Sequence, residues 1–569
     1  MKRIIKYFLL VILSLLITNC SGNNNPAELV LLNGNIITVD SSNSVTQAIA
    51  ISDDSIIAVG KNEEIKNLIG NSTKVIDLKG QTAIPGFIES HAHFISTGEA
   101  LMELDLSTAQ NWDEIITLAK NAAEKSQSGE WIFGRGWHQE KFNEVPENAV
   151  EGFPSHKTLS EAIPNNPIIF SHASGHAIFA NAKAMEICGI TNVTQNPKGG
   201  KIIKDKNGLP TGIFLEDAEK LITKKFNEDI NKKSRKEVNN QIRKAIKLAN
   251  DECLKNGITT FHDAGENFES LSIIKNMVEN NEIDIRLYVM LGENYNALKD
   301  SLRKYFTIGY GNNHLTVRSI KLYMDGALGS RGAWLIEPYS DMPNQSGLNT
   351  TDLNEIKLIC KLAVNNDFQI CTHAIGDKAN RITLDIYDQI FKENSDKDYR
   401  WRIEHAQHID PNDIPRFNKL GVIAAMQGIH CTSDAPFVEK RLGKSRAESG
   451  AYVWKSLIKS GAIICNGTDS PVEKLNPIKN FYATVTRKTN DGSVFYGNQK
   501  MSRAEALRSY TINGAYAAFE ENIKGSLEKG KLADITVLSK DLLNISDEEI
   551  LNTEIIYTIV GGKILYERK

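Results

Sequence analysis

Two histidines one residue apart close an apolar run early in the sequence. The run "TAIPGFIESHAH" ends in His91 and His93. Because residues i and i+2 of a strand point to the same side, both imidazoles would project together if this run forms a strand. Neutral imidazole is a common metal ligand, so the pair is a candidate for part of a metal site. Two ordinary surface or core histidines are the alternative.

Four further residues with metal-binding or proton-transfer chemistry lie in later apolar runs. His373 lies in "QICTHAIGD", His405 in "WRIEHAQH", Asp469 in "AIICNGTDSP" and Lys321 in "SIKLYMDGALGSRG". Each has an ordinary structural interpretation when it is taken alone. The histidines could be satisfied in a core, the aspartate could cap a turn or helix, and the lysine could extend its amine towards solvent.

The elements that would position these residues are short apolar strands that alternate with helical segments, a pattern typical of parallel β/α units. Eight such strands predict an α/β fold built on a (β/α)8 TIM barrel, which carries its chemistry at the carboxyl ends of the strands. The six candidate residues fall on strands one, four, five, six and eight and would converge on one face. The strands are predicted in "AIPGFIESHAH", "GITTFHDAG", "DIRLYVML", "RSIKLYMDG", "FQICTHAIGD", "RWRIEHAQH", "GVIAAMQ" and "GAIICNGTDS".

The spacing of these strands also predicts the domain organisation. The barrel would span 85–524, with a large and partly helical insertion after strand one, at about 95–255. Residues 28–84 and 525–569 are short β-rich runs broken by turn residues, so we expect both chain ends to form one small β-sandwich.

Bulk composition limits the function classes. The 569 residues exceed one ordinary domain, and the net charge of −4 offers no basic surface, so we expect no nucleic-acid partner. The cysteines show no C-x-x-C spacing, and several lie in apolar runs, which favours buried thiols over a disulfide framework.

The first residues are typical of an export signal. A basic start precedes an apolar core, and the stretch to Cys20 resembles a bacterial lipoprotein signal peptide over 1–20. That resemblance implies a lipid anchor on Cys20, a polar tether over 21–27, and a location on the periplasmic or cell-surface side of a bacterial membrane. A plain signal peptide or an uncleaved anchor is the alternative.

Several motifs together resemble the amidohydrolase superfamily, in particular its amidohydrolase 3 branch, which includes N-substituted formamide deformylases. They are "DGALGSRGAW", "THAIGD", "RIEHAQH", "NGTDSPV" and "GKLADITVL". The resemblance covers nearly the whole chain after residue 27. It implies two divalent metals, with zinc expected and iron, manganese or cobalt as alternatives. The implied ligands are His91, His93, Lys321 as a bridging carbamate, His373, His405 and Asp469.

The resemblance also implies a mechanism. A metal-bound hydroxide would attack the substrate carbonyl, while Asp469 accepts the proton and passes it to the leaving nitrogen. His176, in "GHAIFAN", is a candidate catalytic donor to the carbonyl oxygen, with packing of the insertion as the alternative. Arg331 would hold a substrate carboxylate or shape a loop, and Trp137 would line the substrate pocket or serve structure.

The expected activity is therefore hydrolysis of a linear, non-peptide amide or formamide C–N bond in a small molecule. A mononuclear deaminase or cyclic-amide hydrolase of the same fold is the alternative, and Lys321 discriminates because those enzymes usually lack the bridging lysine. A lipid-anchored binding protein that has lost catalysis is a third hypothesis. Large related enzymes often pair, so a homodimer is an open option.

Overall fold

The computed structural model describes residues 26–569, apart from 140, 141, 147, 173–176, 198, 199, 231–233, 330, 395 and 396. The predicted signal peptide, Cys20 and His176 therefore lie outside the described residues. The chain divides into two compact units, one made of the residues up to Phe94 together with Asn250–Lys569, and the other of Ile95–Ala249. In the part of the chain that is described, no helix is both long and apolar enough to cross a membrane.

Eight parallel strands form the centre of the larger unit, and we number them β1 to β8. Each pairs in parallel with the next, from β1 to β8. Beside β1, the Asp469 N–H just after β8 donates to the His91 carbonyl at 2.9 Å. The predicted α/β fold with an eight-stranded parallel barrel is thus confirmed, and the ring is nearly closed. The strands are Phe87–Ala92, Ile258–Glu266, Arg286–Leu291, Leu315–Tyr323, Gln369–Ala374, Arg402–His405, Ile423–Gln427 and Ile464–Gly467.

Helices connect the barrel strands, as right-handed crossovers between parallel strands require. A short strand, Thr307–Gly309, adds to β4 in the antiparallel sense. The helices that follow β2 to β8 are Phe268–Glu279, Tyr295–Leu298, Leu302–Tyr305, Tyr310–Asn313, Leu353–Asn365, Asp377–Glu393, Ile414–Leu420, His430–Leu442, Lys444–Gly450, Trp454–Lys459, Pro477–Thr486, Arg503–Ser509 and Ile512–Ala517, with a 3-10 turn at Gly497–Gln499.

The apolar run that ends in the histidine pair is two strands, where the sequence predicted one. Thr82–Pro85 pairs with Ile535–Leu538 and with Asn35–Ile37 in a separate sheet, and only Phe87–Ala92 enters the barrel. The chain crosses between the sheets at Gly86, where an added Cβ would lie 2.1 Å from the Thr259 hydroxyl. The absence of a side chain there permits the close approach of β2.

The two chain ends form two further sheets of the larger unit. The first sheet contains strands from the amino-terminal end only, and the second combines strands from both ends. One has the strands Leu29–Leu32, Ala48–Ser52, Ser55–Gly60 and Lys74–Asp77. The other joins Asn35–Ile37, Val45–Thr46 and Thr82–Pro85 to Ile535–Leu538, Ile555–Val560 and Lys563–Glu567. Buried side chains of both sheets share one apolar cluster that includes Leu31, Ile49 and Val537. Short helices lie at Asn62–Lys66 and Asp547–Ile550.

The smaller unit has a sheet of its own with six strands, whose two faces carry different cores. Ile168 and Phe170 belong to one buried cluster, and Ile169 between them belongs to the other, as the alternation of side chains along a strand requires. The strands are Leu104–Asp105, Ile132–Trp137, Ile168–His172, Ala177–Ala180, Gly200–Lys204 and Pro210–Glu216. The helices are Phe94–Met102, Trp112–Ala123, Lys157–Ala162, Ala182–Ile187, Lys220–Ile230 and Arg235–Lys255, with a 3-10 turn at Asp217–Glu219.

Candidate metal centre

The six residues predicted as ligands lie at the carboxyl ends of barrel strands. His91 is in β1 and His93 follows it, Asp469 follows β8, and the other three are within β4, β5 and β6. In the neighbouring strands, Tyr323 is the register partner of His373, and Ala374 is the partner of His405. The parallel register therefore brings His373 and His405 to nearly the same level of the barrel.

Two of these side chains, His91 and His93, approach one oxygen of Asp469, and Lys321 approaches His91. His93 Nε2 lies 3.3 Å and His91 Nε2 3.6 Å from Asp469 Oδ1, and Lys321 Nζ lies 3.3 Å from His91 Nε2. A metal held tetrahedrally by ligands at about 2.1 Å separates those ligand atoms by about 3.4 Å. The observed spacing therefore suits atoms that share one cation.

His405 and His373 complete the cluster on the other side. The centroid of the His405 ring lies 4.7 Å from that of the His91 ring and 4.5 Å from that of the His373 ring. His91, His405 and Asp469 each offer one ligand atom, and these three atoms all lie within 4.8 Å of one another. The structure thus brings together all six predicted ligands at one end of the barrel.

Polar atoms of this cluster are buried without a hydrogen bond. Among the described residues, Asp469 Oδ1, His373 Nε2 and His430 Nε2 have no partner of acceptable geometry. Buried polar atoms are nearly always satisfied in folded proteins, so these three atoms are suited to binding a cation. Two nitrogens and a carboxylate oxygen are suitable donors for a divalent metal.

The protonation states of these groups also suit metal binding. Burial, reinforced by the charge of Lys321, lowers the pKa of His91 to about 4, so its imidazole is neutral at pH 7. Burial likewise places the pKa values of His373 and His405 well below the usual range. Burial alone would raise the pKa of Asp469, but His93 and the other imidazoles outweigh it and hold the carboxyl ionised.

Lys321 is buried in the middle of the cluster, with 2% of its surface exposed. Burial lowers the pKa of its amine, although Glu404 and Asp469 oppose that shift. A lowered pKa exposes more of the free amine, which is the form that reacts with CO₂ to give a carbamate. The environment is therefore compatible with a bridging carboxylated lysine.

A buried ion pair orients the first histidine. Glu404 hydrogen-bonds His91 Nδ1, and Arg402 in turn donates to Glu404 through Nε at 2.7 Å and a terminal nitrogen at 2.9 Å. Burial would raise the pKa of Glu404, but Arg402 and His91 hold it well below its usual range. The arrangement leaves His91 Nε2 directed at the other ligands, as carboxylate–histidine–metal triads do.

Two other polar side chains lie beside His405 and His373. Gln427 Oε1 lies 2.8 Å from His405 Nδ1, which leaves Nε2 of that ring for the cluster. Asp325 Oδ1 lies 3.6 Å from His373 Nε2 and accepts the Ile375 N–H at 2.9 Å. Asp325 thereby holds the turn that follows β5.

A cavity of about 380 Å³ opens beside the cluster. Its lining includes ligand candidates within β4, β5 and β6, those that follow β1 and β8, and side chains of the helix His430–Leu442. That volume falls within the range of small-molecule sites. A small substrate could therefore reach the cluster from this cavity.

A family model described as "Amidohydrolase family" matches residues 74–566. The chain belongs to the amidohydrolase family. It is 32% identical over 553 residues to Protein LONG AFTER FAR-RED 3 of Arabidopsis thaliana, which covers 95% of this chain and 92% of that relative. It is 26% identical over 552 residues to the N-substituted formamide deformylase of Arthrobacter pascens, with 95% and 98% covered.

A solved structure carries the same fold. The chain aligns with an uncharacterized metal-dependent hydrolase from Pyrococcus horikoshii OT3 at a TM-score of 0.73 and 27% identity, over 91% of this chain and 99% of that one. Together with the family, this neighbour indicates that the amidohydrolase described here is a metal-dependent hydrolase. The donor set of imidazoles and carboxylate on the barrel face fits that class.

Two predicted substrate contacts of the amidohydrolase are corrected by the structure. Trp137 is fully buried in the core of the smaller unit, where its indole N–H donates to the Phe170 carbonyl at 3.1 Å, so it presents no surface to a substrate. Arg331 forms two hydrogen bonds to Asp341, at 3.2 and 2.8 Å, and Arg441 also bonds that carboxylate. The loop-shaping alternative for Arg331 is therefore favoured.

Sequence reasoning missed His430, whose Nε2 lies 3.9 Å from Asp469 Oδ2. Its position three residues after β7 was an available signal, because the other site residues also follow or end barrel strands. The roles of Glu404 and Gln427 carried no such signal. Glu404 contacts His91 on a strand at the other end of the barrel sequence, and Gln427 contacts His405 on the neighbouring strand; only the folded register reveals these contacts.

Proposed function

We propose that this amidohydrolase cleaves the C–N bond of a linear, non-peptide amide or formamide in a small molecule. The observation that carries the proposal is the cluster of imidazole nitrogens, Asp469 and buried Lys321 at one end of the barrel. The similarity to an N-substituted formamide deformylase supports the choice of bond. Zinc is the expected metal, with iron, manganese or cobalt as alternatives.

The residues present would divide the work as follows. His91, His93, His373, His405 and a carboxylated Lys321 would hold two divalent cations. Bound there, such cations supply Lewis acidity and a hydroxide nucleophile near neutral pH. Asp469, ionised at rest, would accept a proton at Oδ1 and later give it to the leaving nitrogen.

A mononuclear deaminase or cyclic-amide hydrolase of the same fold is the second candidate. It would need only one cation, held by a subset such as His91, His405 and Asp469, whose ligand atoms lie within 4.8 Å of one another. Lys321 favours the binuclear proposal because a protonated amine beside His91 would repel a cation, whereas an anionic carbamate could hold two cations.

The test is an activity screen with metal-loaded protein. We expect release of amine and formate from N-substituted formamides, or of amine and acid from linear amides, and no ammonia from aminopurines or aminopyrimidines. Lys321→Ala should abolish turnover, while Lys299→Ala, an exposed lysine elsewhere in the same unit, should leave it unchanged. Deamination without amide cleavage would reverse the order of the two candidates.

We further propose the export, domain and assembly properties that the sequence predicted. Export and a lipid anchor on Cys20 are supported by the sequence of residues 1–20. The shared core of the two terminal sheets supports a composite β-sandwich, and the compact unit Ile95–Ala249 supports an insertion in the barrel. Labelling with radioactive palmitate in a bacterial host tests the anchor, and sedimentation equilibrium tests the homodimer.

A further inference from the structure

One helix directs three side chains along the cavity beside the metal centre. His430, Asp434 and Phe437 occupy positions i, i+4 and i+7 of the helix His430–Leu442, and all three line the cavity. Residues at these spacings share one helical face, about 5–6 Å apart for each turn. Because His430 lies 3.9 Å from Asp469 Oδ2, the row begins at the reacting end and leads away from it.

Asp434 carries a charge that its surroundings do not neutralise. Its Oδ2 accepts hydrogen bonds from Gln407 at 3.2 Å and from the Tyr452 hydroxyl at 2.5 Å. Within the described part of the chain, no group donates to Oδ1 and no lysine or arginine forms an ion pair with this carboxylate. Burial raises the pKa of Asp434, and the nearby His430 only partly opposes that shift. A largely buried carboxylate without a cation is costly, and a cationic ligand would remove that cost.

The rest of the cavity lining also favours a cationic group over an anionic one. Glu473, in the loop after β8, is a second acidic group of the cavity, and Leu328, Ile375 and Phe437 give it apolar walls. Among the described lining residues, Lys321 is the single lysine or arginine, and it belongs to the metal centre. The cavity thus offers a cationic group two acidic partners, and it offers a substrate carboxylate no arginine.

We propose that Asp434 is a specificity-determining residue that selects amides with an ammonium or similar strong hydrogen-bond donor about one helical turn from the scissile bond. An apolar or aromatic extension beyond that group would contact Phe437. The inference rests on the proposed amide chemistry for the position of the scissile bond. The preference for a cation rests on the cavity alone.

The experiment compares three formamides that differ at one end. N-(3-aminopropyl)formamide carries an ammonium, N-butylformamide is its neutral analogue, and N-(3-carboxypropyl)formamide carries a carboxylate. Metal-loaded enzyme should show a kcat/KM at least tenfold higher for the ammonium compound than for the neutral one, since a charge-assisted hydrogen bond contributes about 1.5–3 kcal/mol. The carboxylate compound should be the poorest of the three.

Variants separate recognition from structure. Asp434→Asn should erase the tenfold preference by raising KM for the ammonium compound, and any change in kcat/KM for N-butylformamide should be much smaller. Asp388→Asn, which removes the same charge from a pair with Lys392 on the helix Asp377–Glu393, should keep the preference. Equal values for the ammonium and neutral compounds in the wild type would overturn the inference. An equal loss for both compounds in Asp434→Asn would also overturn it, because it would indicate a structural role.

Calorimetric titration of the same compounds distinguishes this inference from the proposed function. If no formamide or amide is cleaved but the ammonium compound still binds tenfold more tightly, and Asp434→Asn removes that difference, the proposed function fails and the specificity inference stands. If amides are cleaved and the ammonium compound binds no better than its neutral analogue, the proposed function stands and the inference fails.

Discussion

Two buried ionic clusters of the larger unit differ in how completely their polar atoms are satisfied. At the start of β3, Arg286 donates to both oxygens of Asp534 at 2.7 and 3.0 Å and to the carbonyls of Asn312 and Asn313 at 3.0 and 3.3 Å. Asp534 also accepts the Gly561 N–H at 2.9 Å. This cluster lies at the amino end of the barrel strands and needs no other partner.

The metal centre, at the carboxyl ends, is incomplete by the same measure. Asp469, His373 and His430 each have a buried polar atom without a hydrogen bond among the described residues. The polar atoms of the Arg286–Asp534 cluster satisfy one another, whereas the metal centre has buried donor atoms that could bind a cation. The contrast agrees with a structural role for the first cluster and a binding role for the second.

The largest effect should come from the incomplete cluster. Asp469→Asn removes the group that transfers the proton but keeps an oxygen for the metal, so kcat for an amide substrate should fall by about 10³-fold while metal content is retained. Steady-state kinetics and elemental analysis of the same sample measure both quantities. Unchanged turnover at unchanged metal content would remove Asp469 from the mechanism.

The complete cluster should respond in stability instead. Asp534→Asn leaves the buried Arg286 without its counter-charge and should lower the free energy of unfolding in urea by about 3–5 kcal/mol. Asp388→Asn, at a partly exposed pair with Lys392, should change it by less than about 1 kcal/mol. Similar small losses in both variants would show that the Arg286–Asp534 pair does not stabilise the fold.

Glu89 is an intermediate case. Its carboxyl oxygens accept hydrogen bonds, but no cationic side chain forms an ion pair with it among the described residues. It accepts the Thr468 N–H at 2.7 Å and the Thr468 hydroxyl at 3.0 Å at the junction of β1 and β8. Burial raises its pKa from 4.5 to about 8, so the folded state binds a proton that the unfolded state has lost. Its contribution to stability is complete below pH 4.5 and is lost as the pH rises towards 8.

Glu89→Gln should therefore gain stability relative to the wild type as the pH rises. In metal-free protein, the difference in unfolding free energy between variant and wild type should grow by about 3 kcal/mol between pH 5 and pH 8. Subtracting the wild-type curve cancels the other titrating groups. A difference that stays constant over this range would mean that the folded pKa of Glu89 is not raised.

Much of the fold was predictable because parallel barrel strands are buried on both faces. Runs such as "DIRLYVML" are therefore largely apolar, and Arg286–Leu291 is buried along its whole length. Five of the six ligand candidates could be found because they lie near the end of such a run or just after it, whereas Lys321 lies inside one. The division of the first run at Gly86 was not predictable, since it depends on the approach of Thr259 from a strand more than a hundred residues later.

The remaining misses have the same physical origin. Arg331 could not be distinguished from a substrate-binding arginine until the loop placed Asp341 and Arg441 beside it. Trp137 ends a strand of the smaller unit, and only packing shows that its indole faces the core. The hydrogen-bond partners of such side chains depend on the folded structure and cannot be predicted from local sequence.

The most direct test of the metal centre is the metal content of each chain. Residues 21–569 would be produced without chelators, in medium with zinc and bicarbonate, and measured by elemental mass spectrometry for the wild type and for His373→Ala. We expect about two metals per wild-type chain and about one per variant chain. One metal in both proteins would contradict the binuclear centre, and it would leave Lys321 as an ordinary buried amine.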